Sequence, residues 1–427
     1  MAEVAGEVKV KSSSRGRVTG APYDAIKMTE NPKVSGSRLV SVDALRGAAA
    51  LAVVLFHAAH QARFLGTEQT PRWLGTAVAA VIYFGYTGVY LFFVISGFCI
   101  HLRWAKAKAA GQSPSIDFFA FWKRRIRRLY PPYIVAMCFY LIVLAVEGNL
   151  QLTRFFGWDL GLHLLMLHNF NNHTAYSINN VFWTLAIEEQ LYLAYFLLVP
   201  LRIRFGWAKT LCCCLGARFV WFALSFTLFR QFGVELPVTE AAATQWFVWA
   251  LGALSIEAAV GLVQLPRWTR DLRLGLFILL LTASLSYVDR FSDRRNLLHD
   301  LFWLVVHPMW GMGFFIIINR AVAAERGWRA VGRFAPRAIA VFASVGIFSY
   351  SLYLTHELIL THLYKYLTVW LAWPRSTLLL FSLFILSAVS VVFAWAFFWI
   401  FEKPFISWAS AAPSPVLREK QAEAGAA

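Results

Sequence analysis

Long apolar blocks alternate with short charged ones along this chain. The apolar blocks fall at about 40–60, 76–100, 131–147, 181–201, 210–229, 243–264, 274–288, 301–319, 339–362 and 376–401. Most are long enough to cross a bilayer core of about 30 Å as a helix. A helix also satisfies its own backbone hydrogen bonds, as a lipid-facing segment must. No segment alternates as a barrel strand does. The pattern predicts an all-α membrane protein with about ten transmembrane helices. A further apolar stretch near 159–168 is too short to span and reads as re-entrant or interfacial.

Charge fixes the orientation. With both termini cytoplasmic, the inner segments 1–38, 101–130, 202–209, 265–273, 320–337 and 402–427 hold 29 of the 40 Lys and Arg residues, and the outer loops hold 9. Without the two tails the balance is still 19 against 9. This is the positive-inside bias. It accounts for the formal net charge of +17 in topological terms, and no nucleic-acid partner is expected. Residues 1–38 are polar and of mixed charge, with no apolar core near Met1, so they read as a disordered cytoplasmic tail and not a secretory signal. The membrane domain is expected over 39–405, with a short cytoplasmic tail over 406–427.

The five cysteines include no CxxC pair, and no metal is expected. Cys212, Cys213 and Cys214 are either small buried side chains or a palmitoylation site.

Ionisable residues inside apolar spans are costly and tend to be functional. Arg46 and His57 are eleven positions apart in the first span. Eleven steps of 100° bring them to one helix face, about 16 Å apart along the axis. Asp43 is placed to pair with Arg46 at i,i+3. Glu188 and Glu189 open the fourth span, and SYSLYLTHE in the ninth puts Tyr353 and His356 on one face. Counting residues from the inner ends places His57, Glu188 and His356 together in the outer half. Arg125 and Arg128, in FWKRRIRRLYPPY, form a cationic patch suited to phosphates if the stretch is helical. Structural roles compete with these readings: snorkelling for Arg46, satisfied histidines for His57 and His356, interfacial acids for the glutamates, a topology anchor for the arginines. Ser96 and Gly97, in FFVISGF, allow either close helix packing or close approach of a ligand. A basic zone inside and a His/Glu zone in the outer half suit a conduit for a phosphorylated donor that ends at an acid/base centre.

Six elements in order resemble the acyltransferase 3 family of polytopic membrane acyltransferases: the Arg46/His57 pair; FFVISGF with Phe92, Phe93, Ser96 and Gly97; RRIRRLYP with Arg125, Arg128 and Pro131; WTLAIEEQLY with Trp183, Glu188 and Tyr192; SYSLYLTHE with Tyr350, Tyr353 and His356; and FEKPF. The resemblance runs from about Leu39 to Phe405. Thr184 stands where the family usually has Ser. Some members carry an extracytoplasmic hydrolase-like domain that is not expected here.

The resemblance implies transfer of an acyl group, commonly acetyl, from cytoplasmic acyl-CoA to a hydroxyl of an extracytoplasmic glycan, lipid-linked sugar or small molecule, in the plasma membrane among its lipids. Arg46, Arg125, Arg128 and Ser96 would then bind the CoA. His57 would act as general base or carry the acyl group, with Glu188 orienting it. His356 or Tyr353 would stabilise the oxyanion or place the acceptor. A secondary transporter or glycan export channel would also use intramembrane His, Glu and Arg, although no internal repeat is visible. A catalytically silent scaffold has no need of the Arg46/His57 pair.

Overall fold

A computed structural model describes residues 39–61, 82–289, 297–330, 332, 335–370 and 373–410. The two predicted tails, 1–38 and most of 406–427, lie outside these residues, as does the start of the second predicted span. The described residues form helices joined by short loops, with no strand among them. The main helices are α1 (Val40–Gln61), α2 (Gly88–Ala109), α3 (Phe118–Val146), α4 (Arg154–Leu164), α5 (Trp183–Phe232), α6 (Ala242–Ala259), α7 (Leu272–Asp289), α8 (Leu297–Ala330), α9 (Arg337–Ile347) and α10 (Ser349–Glu357). The chain then continues helically through Ser376–Ile406.

Among the described residues seven helices are long and apolar enough to cross a membrane, and the bent pair Arg337–Ile347 and Ser349–Trp370 makes an eighth if it counts as one span. Two differences from the sequence pattern explain why this is fewer than ten. The segments predicted at 181–201 and 210–229 both belong to α5, which breaks at Gly206 with φ 74° and ψ 173°. The segment predicted at 243–264 is α6, whose apolar run is diluted by buried Thr244, Gln245, Ser255 and Glu257. It is enclosed by α2, α5 and α8, so its polar side chains meet protein. Conversely, Leu193, Leu197, Phe226, Leu280, Trp395 and Ile400 are exposed. Apolar side chains exposed on that scale suit lipid and not water, and the molecule is an integral membrane protein.

The helices that hold the site are packed backbone to backbone. A Cβ added at Gly97 would lie 1.9 Å from the carbonyl oxygen of Trp249, and one at Gly252 would lie 1.8 Å from that of Val94. Gly97 therefore serves the α2–α6 contact and not the approach of a ligand. Gly346 meets the Asp43 carbonyl in the same way and brings α9 against α1. Gly97→Ala is expected to cost about 1–3 kcal/mol or more through overpacking, read as a lower unfolding midpoint in detergent. Gly216→Ala, whose added Cβ meets nothing within 4 Å, is the control.

The short apolar stretch near 159–168 forms the end of α4 and a tight turn (His168–Phe170). His163 and His168 are buried there with parallel rings 3.9 Å apart. Burial, reinforced by His163, holds the His168 imidazole down to about 3. Between about pH 6.5 and 3 the unfolded chain takes up a proton that the folded chain refuses, so stability falls as pH falls through that window. The unfolding midpoint is expected to drop from pH 7.5 to pH 4, and to drop less in His168→Phe, which keeps the ring and removes the base.

Candidate functional site

The two histidines singled out in the sequence meet between α1 and α10. His57 Nδ1 lies 2.6 Å from Glu357 Oε1. A carboxylate accepts, so Nδ1 carries the proton and Nε2 keeps a free lone pair. Glu357 is held in turn by the Thr361 hydroxyl at 2.7 Å, and Thr361 accepts from Gln61 Nε2 at 2.6 Å. The His356 ring stands 5.1 Å from the His57 ring, centroid to centroid. Its Nδ1 lies 3.0 and 2.9 Å from the carbonyl oxygens of Leu352 and Tyr353. Carbonyls also accept, so His356 has its proton on Nδ1. Its buried Nε2 is an acceptor with no hydrogen-bond partner among the described residues.

This arrangement changes two expectations. The carboxylate that orients His57 is Glu357, not Glu188. Glu188 lies elsewhere, where Ser96 Oγ donates to it at 2.6 Å and Tyr192 Oη at 2.5 Å. Trp249 Nε1 reaches Ser96 Oγ at 3.2 Å. The Ser96 proton is thus committed to Glu188. A neutral His356 offers no proton at Nε2, so it is not an oxyanion donor in this tautomer.

Glu188 belongs to a cavity lined by Arg46, Ser96, Arg125, Arg128, Tyr350 and Glu402 among others. Arg46 pairs with Asp43 at 3.1 Å, as the i,i+3 spacing predicts, and its other terminal nitrogen reaches Cys99 Sγ at 3.2 Å. Arg125 stacks over the rings of Phe121 and Tyr192. Arg128 Nε is buried with no hydrogen-bond partner among the described residues. Burying an unpaired guanidinium N–H is costly, and an anion in this cavity would relieve that cost. The α3 helix presents Arg125 and Arg128 on one side at i,i+3, and it continues through Pro131 and Pro132.

His57 lines a second cavity with Phe56, Tyr86, Tyr90, Asn180, Trp183 and Tyr353. Val89 and Tyr353 line both cavities. Tyr353 Oη lies 2.7 Å from Thr184 Oγ1, and Thr184 donates to the Val181 carbonyl at 2.8 Å. Thr184 thus supplies a hydroxyl where the family usually has Ser. The basic zone and the histidine zone are therefore neighbouring rooms with a shared wall.

The structure brings His57, His356 and Tyr353 together by ring contacts. It gathers Arg46, Ser96, Arg125, Arg128 and Glu188 around the first cavity, with Tyr353 facing both cavities. The reading of single residues missed Glu357 and Glu402. Glu357 directly follows His356. Glu402 sits in FEKPF and accepts from the Ser351 hydroxyl and backbone N–H.

The family model described as an acyltransferase domain matches residues 39–399. O-acetyltransferase OatA of Staphylococcus aureus (strain NCTC 8325 / PS 47) is 30% identical over 175 residues, which are 39% of this chain and 25% of that protein. Acyltransferase MdmB of Streptomyces mycarofaciens is 30% identical over 161 residues, 37% of this chain and 38% of that one. The chain thus matches well under half the length of these relatives. No solved structure matches it.

Proposed function

The chain belongs to the acyltransferase 3 family, and from that premise we propose that it moves an acyl group, commonly acetyl, from cytoplasmic acyl-CoA to a hydroxyl of an extracytoplasmic glycan or related acceptor. The observation that carries this reading is the pair of adjoining cavities, one lined by three arginines and the other by His57. The proposed topology has ten crossings and cytoplasmic termini, in the plasma membrane. It counts α5 as two spans about Gly206, α6 as one and the bent α9–α10 pair as one.

Acyl-CoA is the co-substrate. Arg125, Arg128 and Arg46 bind its phosphates through charge-assisted hydrogen bonds. The pantetheine arm runs along the cavity toward Tyr353, at the shared wall. In the second cavity His57 Nε2 takes the proton of the acceptor hydroxyl as the oxygen attacks the thioester carbonyl. Glu357 fixes the tautomer and balances the imidazolium that forms. Collapse of the tetrahedral adduct breaks the C–S bond. The CoA thiolate leaves and recovers the proton from His57, giving an ester and free CoA. Tyr353 stands nearest the junction and places the thioester. The names of the relatives guide the acceptor class: OatA is an O-acetyltransferase, and a hydroxyl acceptor is proposed here on that likeness.

Losing a charge-assisted contact to phosphate costs about 1.5–3 kcal/mol. Arg125→Ala and Arg128→Ala are each expected to raise KM for acetyl-CoA by about ten- to a hundredfold with kcat little changed, measured with labelled acetyl-CoA in membranes. An unchanged KM in both variants would remove the arginine cavity from donor binding. Mass spectrometry of envelope glycans and small molecules from cells with and without the gene would identify the acceptor and the acyl group together.

A further inference from the structure

We propose that His57, His356 and Glu357 form a binding site for Zn2+, and that the bound ion blocks acyl transfer. The second half of this rests on the reading of His57 as general base; the first half does not. One ligand atom from each of the three side chains lies within 4.8 Å of the other two, and among the described residues no other three His, Cys, Asp or Glu side chains come so close. Tetrahedral zinc with N and O ligands needs ligand atoms roughly 3.3–3.6 Å apart. The 2.6 Å His57–Glu357 contact has to open by about 1 Å, and the more distant atoms have to close by a similar amount.

The surroundings suit an ion. His356 Nδ1 is anchored to two backbone carbonyls and Glu357 to Thr361, the outer contacts that orient metal ligands. The buried lone pair on His356 Nε2 has no hydrogen-bond partner among the described residues and is available to coordinate a cation. His57 opens onto the second cavity, which offers an entry path and room for a water in the fourth position. Two imidazoles and one carboxylate favour zinc or Cu(II) over Mg2+ or Ca2+. The other buried histidines are less suitable. His101 is committed to Glu257 and Tyr195, His307 faces the Arg218 guanidinium, and His163 and His168 are stacked in parallel. Binding at His57 Nδ1 would shift the ring's single proton to Nε2, and an imidazole that carries its proton there is unable to accept the acceptor's proton.

The test uses the purified full chain in detergent, stripped with a chelator and titrated with ZnCl2 against a fluorescent zinc indicator. Saturable uptake of one ion is expected, weakened at least about tenfold in His356→Gln and Glu357→Gln, with Mg2+ unable to compete. Equal affinity in both variants, or no saturable uptake, would overturn the site. X-ray absorption on the zinc-loaded wild type requires no variant: imidazole and carboxylate ligands are expected, and a sulfur ligand would place the ion at a cysteine and overturn the proposal. Labelled-acetyl transfer should fall as the site fills and return with EDTA; stimulation by zinc would refute the blocking role. A protein that takes up zinc at these side chains but transfers no acyl group would remove the proposed function and leave the site standing.

Discussion

His57→Ala is expected to lower acyl transfer by about 10²–10⁴-fold, the range supplied by a positioned general base. The loss should appear in kcat, with KM for acetyl-CoA unchanged, because the arginines that hold the donor line the other cavity. The measurement is transfer of labelled acetyl in membranes, normalised to folded protein by size-exclusion chromatography. His57→Gln keeps more of the side-chain volume and should be as inactive as the alanine variant, which separates chemistry from packing. Full activity in a folded His57→Ala protein would remove the imidazole from the mechanism.

The second large effect distinguishes the two carboxylates. Glu357→Gln replaces a pure acceptor with an amide that can donate to His57 Nδ1. The imidazole can then hold its proton on Nε2, where the base is needed. Loss of the correct tautomer in a histidine–carboxylate pair costs up to about 10⁴ in kcat, and a fall of about 10²–10⁴-fold is expected here. Glu188→Gln should cost far less in kcat, because Glu188 is bonded to Ser96 and Tyr192 on the donor side. Its effect is expected mainly in KM for the donor. The reverse ranking would restore Glu188 as the partner of His57 and contradict the geometry.

The sequence shows where each group lies along its helix better than which groups meet. Arg46 and His57 share a face of α1 because a regular helix keeps its phase over eleven residues, and each lines a cavity as that phase implies. Asp43 pairs with Arg46 for the same local reason. Glu357 was hidden because adjacent residues in a helix diverge by about 100°, so two neighbours are not expected to meet one ring. The Glu357 carboxylate nevertheless reaches His57 Nδ1 while the His356 ring stands beside the same imidazole, and the backbone passes from α-helix into a wider π turn over Leu358–Leu363 directly after Glu357. Turns of this kind recur at functional sites and leave no mark in apolar periodicity. Glu188 was misplaced because depth counted along a helix says nothing about which neighbour it faces; the contact with Ser96 spans 92 positions of sequence. The break at Gly206 and the enclosure of α6 both depend on tertiary packing. For that reason the ten apolar blocks match the helices better than they match the count of apolar spans.

Acyl transfer by this route requires a thioester held by the arginine cavity to reach the His57 cavity at Tyr353. A structure of the wild-type protein with acetyl-CoA bound tests this most directly. The CoA phosphates are expected within hydrogen-bond reach of Arg125 and Arg128, and the acetyl carbonyl carbon at the Tyr353 wall, facing His57 Nε2. A nucleotide bound outside the arginine cavity, or a thioester with protein packed between it and the imidazole, would contradict this route.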